Sequence, residues 1–233
     1  MDNDSKFDGY ANNYDAALNE GLSATGQTKD FFARERIIWL ARCLERLNAK
    51  PAQIMDYGCG TGSATPFLHE FMRPECTVGV DTSEKSLEVA RRQYPGTSSR
   101  FLLNGDYTPS TNIDLVYCNG VFHHIPPAVR AVHLRYIRDC LRPGGLFAFW
   151  ENNPWNPGTR YVMSRIPFDR DAITLTPPEG RGLLRRAGFR ILRTDYRFFF
   201  PGWLQGLRRT ERFLNWFPLG GQYMVLARKP TEN

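Results

Sequence analysis

The sequence predicts an α/β fold, a mostly parallel sheet covered by helices on both faces, and three observations carry that expectation. From residue 53 onward, short apolar runs alternate with amphipathic stretches of helical period. The first run ends in a glycine loop, Asp56-Tyr57-Gly58-Cys59-Gly60-Thr61-Gly62, as when a first strand hands its carboxyl end to a helix beside a bound ligand. The last two runs, Arg190 to Phe199 and Gln222 to Lys229, lack a regular helical crossover between them, which suits an antiparallel pair.

Residues 7–20 carry Tyr10, Ala11, Tyr14 and Leu18 at helical spacing, and Lys29 to Leu47 repeats Phe31, Phe32, Ile37, Ile38, Leu40, Leu44 and Leu47 over a longer helix. Both precede the alternating pattern, so they are expected to form an N-terminal helical cap, residues 1–50, outside the sheet core. Residues 51–233 then form the main domain. Strands are predicted at 53–57, 77–81, 99–103, 113–118 and 145–150, and helices at 63–72, 83–93, 126–141 and 178–187. Pro143-Gly144-Gly145 reads as a tight turn between a helix end and the next strand. Residues 152–175 and 201–220 have no place in this minimal pattern and are predicted insertions, the first of them over the active site.

Length and composition agree with one globular domain. The 233 residues stay under the ~250 at which chains split, and 42% hydrophobic residues suffice for a full core. The start, Met1-Asp2-Asn3-Asp4-Ser5, is acidic where a secretory signal is basic, and no apolar run approaches the ~20 residues of a membrane span. Five scattered cysteines, never in C-x-x-C spacing, read as reduced thiols; a cytoplasmic setting without a metal site is the expectation. The net charge of +6 is uneven, since residues 151–233 hold 14 Lys and Arg against 7 Asp and Glu. The plain interpretation is a solvated surface. The sharper one is an acidic partner, whether a phosphate- or carboxylate-bearing substrate, an anionic membrane or nucleic acid.

Two further acids extend the glycine loop into a site. A dinucleotide reader of the form G-x-G-x-x-G requires glycine or alanine at position 63, where this chain has Ser63, so an NAD-dependent oxidoreductase is the weaker alternative. Asp81 ends the second strand, placed either to accept both hydroxyls of a ribose or to cap the next helix. Asp106, in Leu103-Asn104-Gly105-Asp106-Tyr107, closes the third strand, where a carboxylate can accept from an adenine amino group and Tyr107 can lend backbone or ring; a polar turn is the alternative.

With Asp114-Leu115-Val116-Tyr117-Cys118-Asn119 and Leu141-Arg142-Pro143-Gly144-Gly145, these stretches resemble, in order and spacing, the motifs of class I S-adenosylmethionine-dependent methyltransferases over roughly residues 53–190. The resemblance implies a Rossmann-like, seven-stranded sheet whose last strand is inserted antiparallel, with S-adenosylmethionine as methyl donor. It further implies that Gly58, Gly60 and Gly62 cradle the methionine part, Asp81 holds the ribose and Asp106 the adenine. Asn119 would lie under the sulfonium end. Asp56 matches the family's strand-end acid, acting through the loop backbone or a water, and Tyr14 resembles a residue that closes over the methionine carboxylate.

Methyl transfer needs an in-line nucleophile and, for a hydroxyl acceptor, a base. His123 or His124, directly after the fourth strand, is the candidate base, His123 ahead because Pro126 should turn the chain after His124; loop packing is the alternative role. Adjacent histidines with no Cys or acid at ligand spacing are poor zinc geometry, so no metal is expected at the pair. Glu151, in Trp150-Glu151-Asn152-Asn153-Pro154-Trp155-Asn156-Pro157, is a third candidate, in a stretch whose three Asn and two Trp could wall the acceptor pocket or form a rigid turn. Arg160 and Arg165 could receive an acidic group. Asn153-Pro154-Trp155 superficially resembles the acceptor-base motif of nucleic-acid amino-methyltransferases but follows the wrong strand and has one proline, so a nucleic-acid methyltransferase is the other alternative. Phe198 to Phe217 is aromatic and basic; packing as a lid on the sheet edge is preferred over an amphipathic face on an anionic membrane. The function expected is methyl transfer in biosynthesis, to oxygen on a small molecule or glycolipid precursor, with an acidic or lipid-linked acceptor allowed.

Overall fold

The computed structural model describes residues 14–96 and 98–231. The predicted helix at 7–20 thus lies partly outside the described residues, and its described part, α1, runs over Tyr14–Leu22. Tyr14 opens that helix; its side chain is outside the described residues. α2 (Lys29–Arg46) begins where the Thr28 hydroxyl accepts the Phe31 amide, with Asp30 in the first turn and Arg46 in the last to complement the helix dipole.

The sheet is built from β1 (Gln53–Tyr57), β2 (Cys76–Asp81), β3 (Ser99–Leu103), β4 (Ile113–Asn119), β5 (Leu141–Asn152), β6 (Arg190–Arg197) and β7 (Gln222–Arg228), in the order β3-β2-β1-β4-β5-β7-β6. β1 to β5 pair in parallel, while β7 runs antiparallel to both neighbours, Phe149 facing Val225 on one side and Tyr196 facing Tyr223 on the other. The seven strands and the antiparallel last strand agree with the expectation. Between the strands lie α3 (Thr65–Met72), α4 (Glu84–Gln93), α5 (Arg130–Cys140), α6 (Pro157–Arg165), α7 (Pro177–Arg186) and, after a 3₁₀ stretch at Gly202–Thr210, α8 (Glu211–Leu214). α5 starts four residues later than the pattern predicts, because Pro126 and Pro127 occupy the turn before it. β5 begins already at Leu141, with the register shift opposite Ile113 to Leu115 absorbing the proline–glycine turn.

Successive residues of each central strand serve opposite faces of the sheet. Met55, Val116, Cys118, Phe147 and Phe149 join the core under α5 and α7, with Ile137 and Leu184. Ile54, Leu115, Tyr117, Ala148 and Trp150 point the other way, onto Ile37, Leu40 and Leu44 of α2 and Leu68 of α3. This corrects the expectation that the helix at 29–47 stands outside the sheet core. α2 is one of the covering layers, since its apolar stripe meets the apolar face that β1, β4 and β5 expose. Strand order reverses between β1 and β4, and the crevice beyond their carboxyl ends is where such sheets bind ligands.

Candidate active site

The loop after β1 is shaped by three glycines in the left-handed region, Gly58 (φ +73°), Gly60 (φ +52°) and Gly62 (φ +80°). A Cβ on Gly58 would stand 2.3 Å from Val121 Cγ2, so the glycine lets this loop close on the segment after β4. A Cβ on Gly60 would meet no atom of the described residues within 4 Å, so the loop is open there. The loop amides are held by β2. Gly58 N and Cys59 N donate to Val80 O, and Gly60 N donates to Asp81 Oδ2 at 2.8 Å. Asp81 Oδ1 also accepts the Ser83 amide, while the cap of α4 is Ser83 itself, which accepts from Ser86 N. Asp81 is therefore the acid that shapes the loop. Asp56, expected to act through the loop backbone or a water, is buried at the end of β1. Burial, and then the charge of Asp81, push its carboxyl up to about 7 against the opposing pull of Arg36.

Asp106 follows as an exposed carboxylate in the turn after β3, its amide donating to Leu103 O. The Tyr107 ring is in the core, its hydroxyl donating to Asn112 Oδ1 at 3.0 Å and its carbonyl accepting from Tyr136, which leaves its backbone N–H as the group it could lend. At the end of β4, Asn119 Oδ1 is a buried acceptor without a hydrogen-bond partner among the described residues. Such an acceptor is uncommon unless a ligand or water completes it. Open backbone at Gly60, the carboxylates of Asp81 and Asp106 and this unpaired oxygen fit a nucleoside with a cationic end.

Beyond Asn119, the chain turns through Gly120 (φ +67°) into His123 and His124, whose rings lie tilted at 52° with centroids 4.1 Å apart. Buried Glu151, on the neighbouring β5, accepts the Phe122 amide at 2.8 Å and the Nδ1–H of His123 at 2.6 Å. Asp169 arrives from the insertion after α6. Its Oδ1 lies 3.6 Å from Nε2 of His123 and 3.3 Å from Nε2 of His124. Burial alone would depress the His123 pKa, but Glu151 and then Asp169 outweigh it and hold the ring up to about 10. His124 goes the other way. Burial and the charge of His123 lower it, with Asp169 only partly compensating. Burial would raise the Asp169 carboxyl, yet its bonds to both rings keep it low. At neutral pH the cluster is thus an imidazolium at 123 between two carboxylates, with a neutral imidazole at 124.

These four residues correct the sequence expectations in detail. His123, placed ahead as base, already carries its proton and is enclosed by acids, whereas His124 is the imidazole able to accept one. Glu151 does not line the pocket; both its oxygens hold the histidine loop, which makes it a positioning residue. The adjacent histidines do have an acid within reach, since the possible ligand atoms of His123, His124 and Asp169 lie within 4.8 Å of one another. Nothing local in the sequence announces Asp169, whose partners lie far along the chain.

A cavity of about 430 Å³ opens in front of this cluster, lined by Asn119, His123, His124 and Asp169 together with Leu18, Leu22 and Phe199. Of the post-β5 stretch, Asn152 and Asn156 reach it. Asn153 is buried and staples Pro218 O and Gly220 O, Trp150 faces the opposite layer, and Trp155 is exposed. Arg160 and Arg165 are on the surface, the latter over the ring of Tyr161. The cations that do line the cavity are Lys29, Arg36 and Arg208. Lys29 Nζ donates to Ser63, the residue standing where a dinucleotide loop has its third glycine. Arg36 is buried and donates to Tyr117 and Gln222, both neutral.

Residues 54–145 match the family model of a methyltransferase domain. The chain is similar to trans-aconitate 2-methyltransferase of Methylobacterium nodulans, 34% identical over 136 residues, which cover 58% of this chain and 52% of the relative. The chain spans about half the length of the curated relatives it matches. Among solved structures it resembles a methyltransferase that forms a complex with the Trm112 activator of Haloferax volcanii, with a TM-score of 0.66, 19% identity and 96% and 97% of the two chains covered. It also resembles a possible histamine N-methyltransferase of Thermotoga maritima, with a TM-score of 0.65, 17% identity and 96% and 97% covered. At these identities the structural likeness speaks for the fold.

Proposed function

Because the chain belongs to the class I S-adenosylmethionine-dependent methyltransferases, we propose that it transfers a methyl group from that donor to an oxygen of a small amphiphilic acceptor seated in the cavity. Bound S-adenosylmethionine supplies an electrophilic methyl on a sulfonium, so the chemistry left to the protein is alignment and removal of one proton. The glycine loop, Asp81 and Asp106 would hold the donor, with the unpaired oxygen of Asn119 toward its positive end.

The observation that supports this reading is the shared border of donor strip and cavity. Asn119 and Gly120 line the cavity beside His124 and Asp169, so an acceptor bound there reaches the strand end that the donor also reaches. His124 is the base in this proposal. Its Nε2 faces Asp169 Oδ1 at 3.3 Å. His123 positive, Glu151 negative and Asp169 negative leave the resting cluster with one net negative charge, so a proton arriving on His124 neutralises it. His123 and Glu151 keep the loop and Asp169 in position throughout. Lys29, Arg36 and Arg208 give the cavity a positive wall, which favours an acceptor bearing an acidic group, and the apolar side suits a tail. Five unpaired cysteines agree with a cytoplasmic setting.

The test is transfer of labelled methyl from S-adenosylmethionine to acidic, hydroxylated acceptors with and without an alkyl tail. Binding of S-adenosylmethionine with no transfer to any such acceptor would overturn the acceptor class. A thermal shift with NAD and none with S-adenosylmethionine would overturn the donor.

A further inference from the structure

The segment between β6 and β7 was expected to pack as a lid on the sheet edge, and only one side of it does. Its inward side is locked in place. Buried Glu211 accepts the amides of Phe198, Phe199 and Phe200 at 3.3, 3.1 and 3.1 Å. Arg208 donates to Phe200 O and lies over the ring of Phe31, and Asn215 O accepts from Tyr196 N. Its other side is left to solvent. Trp203 is 76% exposed, Phe213 64% and Trp216 72%, with Leu207, Phe217 and Leu219 also exposed. These residues follow one another along 203–219 between the inward anchors Leu204, Arg208, Glu211 and Leu214, so the apolar face is fixed outward by the fold.

The charge on that face is of one sign. Arg209 and Arg212 are exposed, Arg212 lying over the ring of Phe213, while Glu211, the single acid in residues 202–221, is turned inward. Large exposed aromatics among arginines, with no outward acid, complement a surface that is apolar below and anionic at its boundary. The face is also continuous with the cavity. Trp203 belongs to both, and the exposed Tyr161 also lines the cavity. The Asn156 side chain donates to Leu219 O, bringing the post-β5 loop to the same rim.

We propose that this face docks on an anionic lipid bilayer and that the cavity takes its acceptor from the bilayer surface, the acceptor carrying a lipid tail. The second half of that statement rests on the methyl-transfer function proposed above; the docking does not. Among the described residues no helix is long and apolar enough to cross a membrane, so the contact is peripheral. Aromatic side chains would enter the boundary between headgroups and acyl chains, and the arginines would meet lipid phosphates.

Flotation of the full chain with phosphatidylcholine vesicles, with and without phosphatidylglycerol, tests the docking. The wild type should float with the anionic vesicles and be released as salt rises. Phe213→Ser/Trp216→Ser should lower partitioning by at least about tenfold, the size expected for withdrawing two large apolar side chains from lipid. Arg209→Glu/Arg212→Glu should abolish the preference for anionic vesicles. Unchanged melting temperature and S-adenosylmethionine binding in both variants exclude misfolding. Failure of the wild type to float, or equal flotation of the double serine variant, would overturn the proposal. So would a concentration-dependent dimer in sedimentation equilibrium that the double serine variant dissolves, since the face would then belong to a second copy. If flotation succeeds and methyl reaches tail-less acceptors but no lipid-linked one, the docking stands and the lipid-tailed acceptor is overturned; if no acceptor of either kind is methylated, the docking stands and the function proposed above fails.

Discussion

His123 donates from Nδ1 to Glu151 Oε2 at 2.6 Å, inside a protein layer that excludes water from both groups. This ion pair has a signature in stability. The folded His123 holds its proton to about pH 10, whereas an unfolded histidine releases it near 6.5. A raised histidine pKa stabilises the fold fully below the unfolded value, and the gain is lost as pH rises through the folded one. Unfolding free energy should therefore decline between about pH 6.5 and 10, by at most about 1.4 kcal/mol per pH unit from this group. Glu151→Gln removes the partner charge. It should destabilise the fold at neutral pH by roughly 3–5 kcal/mol and move the decline to lower pH. Denaturant titrations at several pH values measure both effects.

His124 gives a different signature, in rate. Its pKa lies below the ordinary histidine value, so at neutral pH the ring is ready to accept a proton. Turnover should fall on the acid side as His124 becomes protonated. His124→Gln should lower kcat by about 10²–10⁴-fold and erase that acid limb, with donor affinity unchanged. Asp169→Asn removes a group that raises the His124 pKa, so the limb should move further to the acid side. Full turnover in His124→Gln would mean that alignment alone carries the reaction.

The glycine loop separates binding from folding. Gly60→Ala places a methyl where no atom of the described residues is within 4 Å, at φ +52°. Its folding cost should be only the left-handed backbone, about 1–2 kcal/mol. If the donor passes over this point, its Kd should rise at least about tenfold, the usual consequence of an extra methyl in a close contact. Gly58→Ala meets Val121 at 2.3 Å as well as an unfavourable φ, and should lose roughly 2–5 kcal/mol of stability. Calorimetry with S-adenosylhomocysteine and thermal melts distinguish the two variants.

What the sequence made legible follows from the range of the interactions involved. β1 to β5 stand as apolar runs because a parallel sheet buries both faces of each strand, and the glycines and Asp81 are legible because a backbone turn requires them locally. The place of α2 was not legible. An apolar stripe says that a helix packs, and does not say on what; Ile37, Leu40 and Leu44 meet the sheet only because Leu115 and Trp150 present an apolar face there. The roles of His123 and His124 could not be separated either, since adjacent residues share every local signal. Burial of both rings, the contact of Glu151 with His123 and the charge of His123 on its neighbour set the two apart, and each of these arises only in the folded chain. The outward aromatics at Trp203, Phe213 and Trp216 were visible as composition, but their exposure depends on Glu211 pinning the opposite side.

Arg36 carries the remaining prediction. It is a buried guanidinium in the cavity wall, and its described hydrogen bonds go to the Tyr117 hydroxyl and the Gln222 side chain, neither of which is charged. The carboxyl it acts on electrostatically is Asp56, whose raised pKa of about 7 leaves it partly protonated at neutral pH. A buried cation so placed gains most from an anion entering the cavity, and a guanidinium receives a carboxylate or phosphate through two parallel bonds. Arg36→Met should raise the acceptor KM by about 10²-fold, corresponding to loss of a charge-assisted pair worth about 2–3 kcal/mol. Arg36→Lys keeps the charge without the fork and should fall between. Donor Kd, measured separately, decides which anion Arg36 serves. If it stays constant while acceptor KM rises, the acidic group belongs to the acceptor; if it rises in parallel, Arg36 holds the carboxylate of the donor instead.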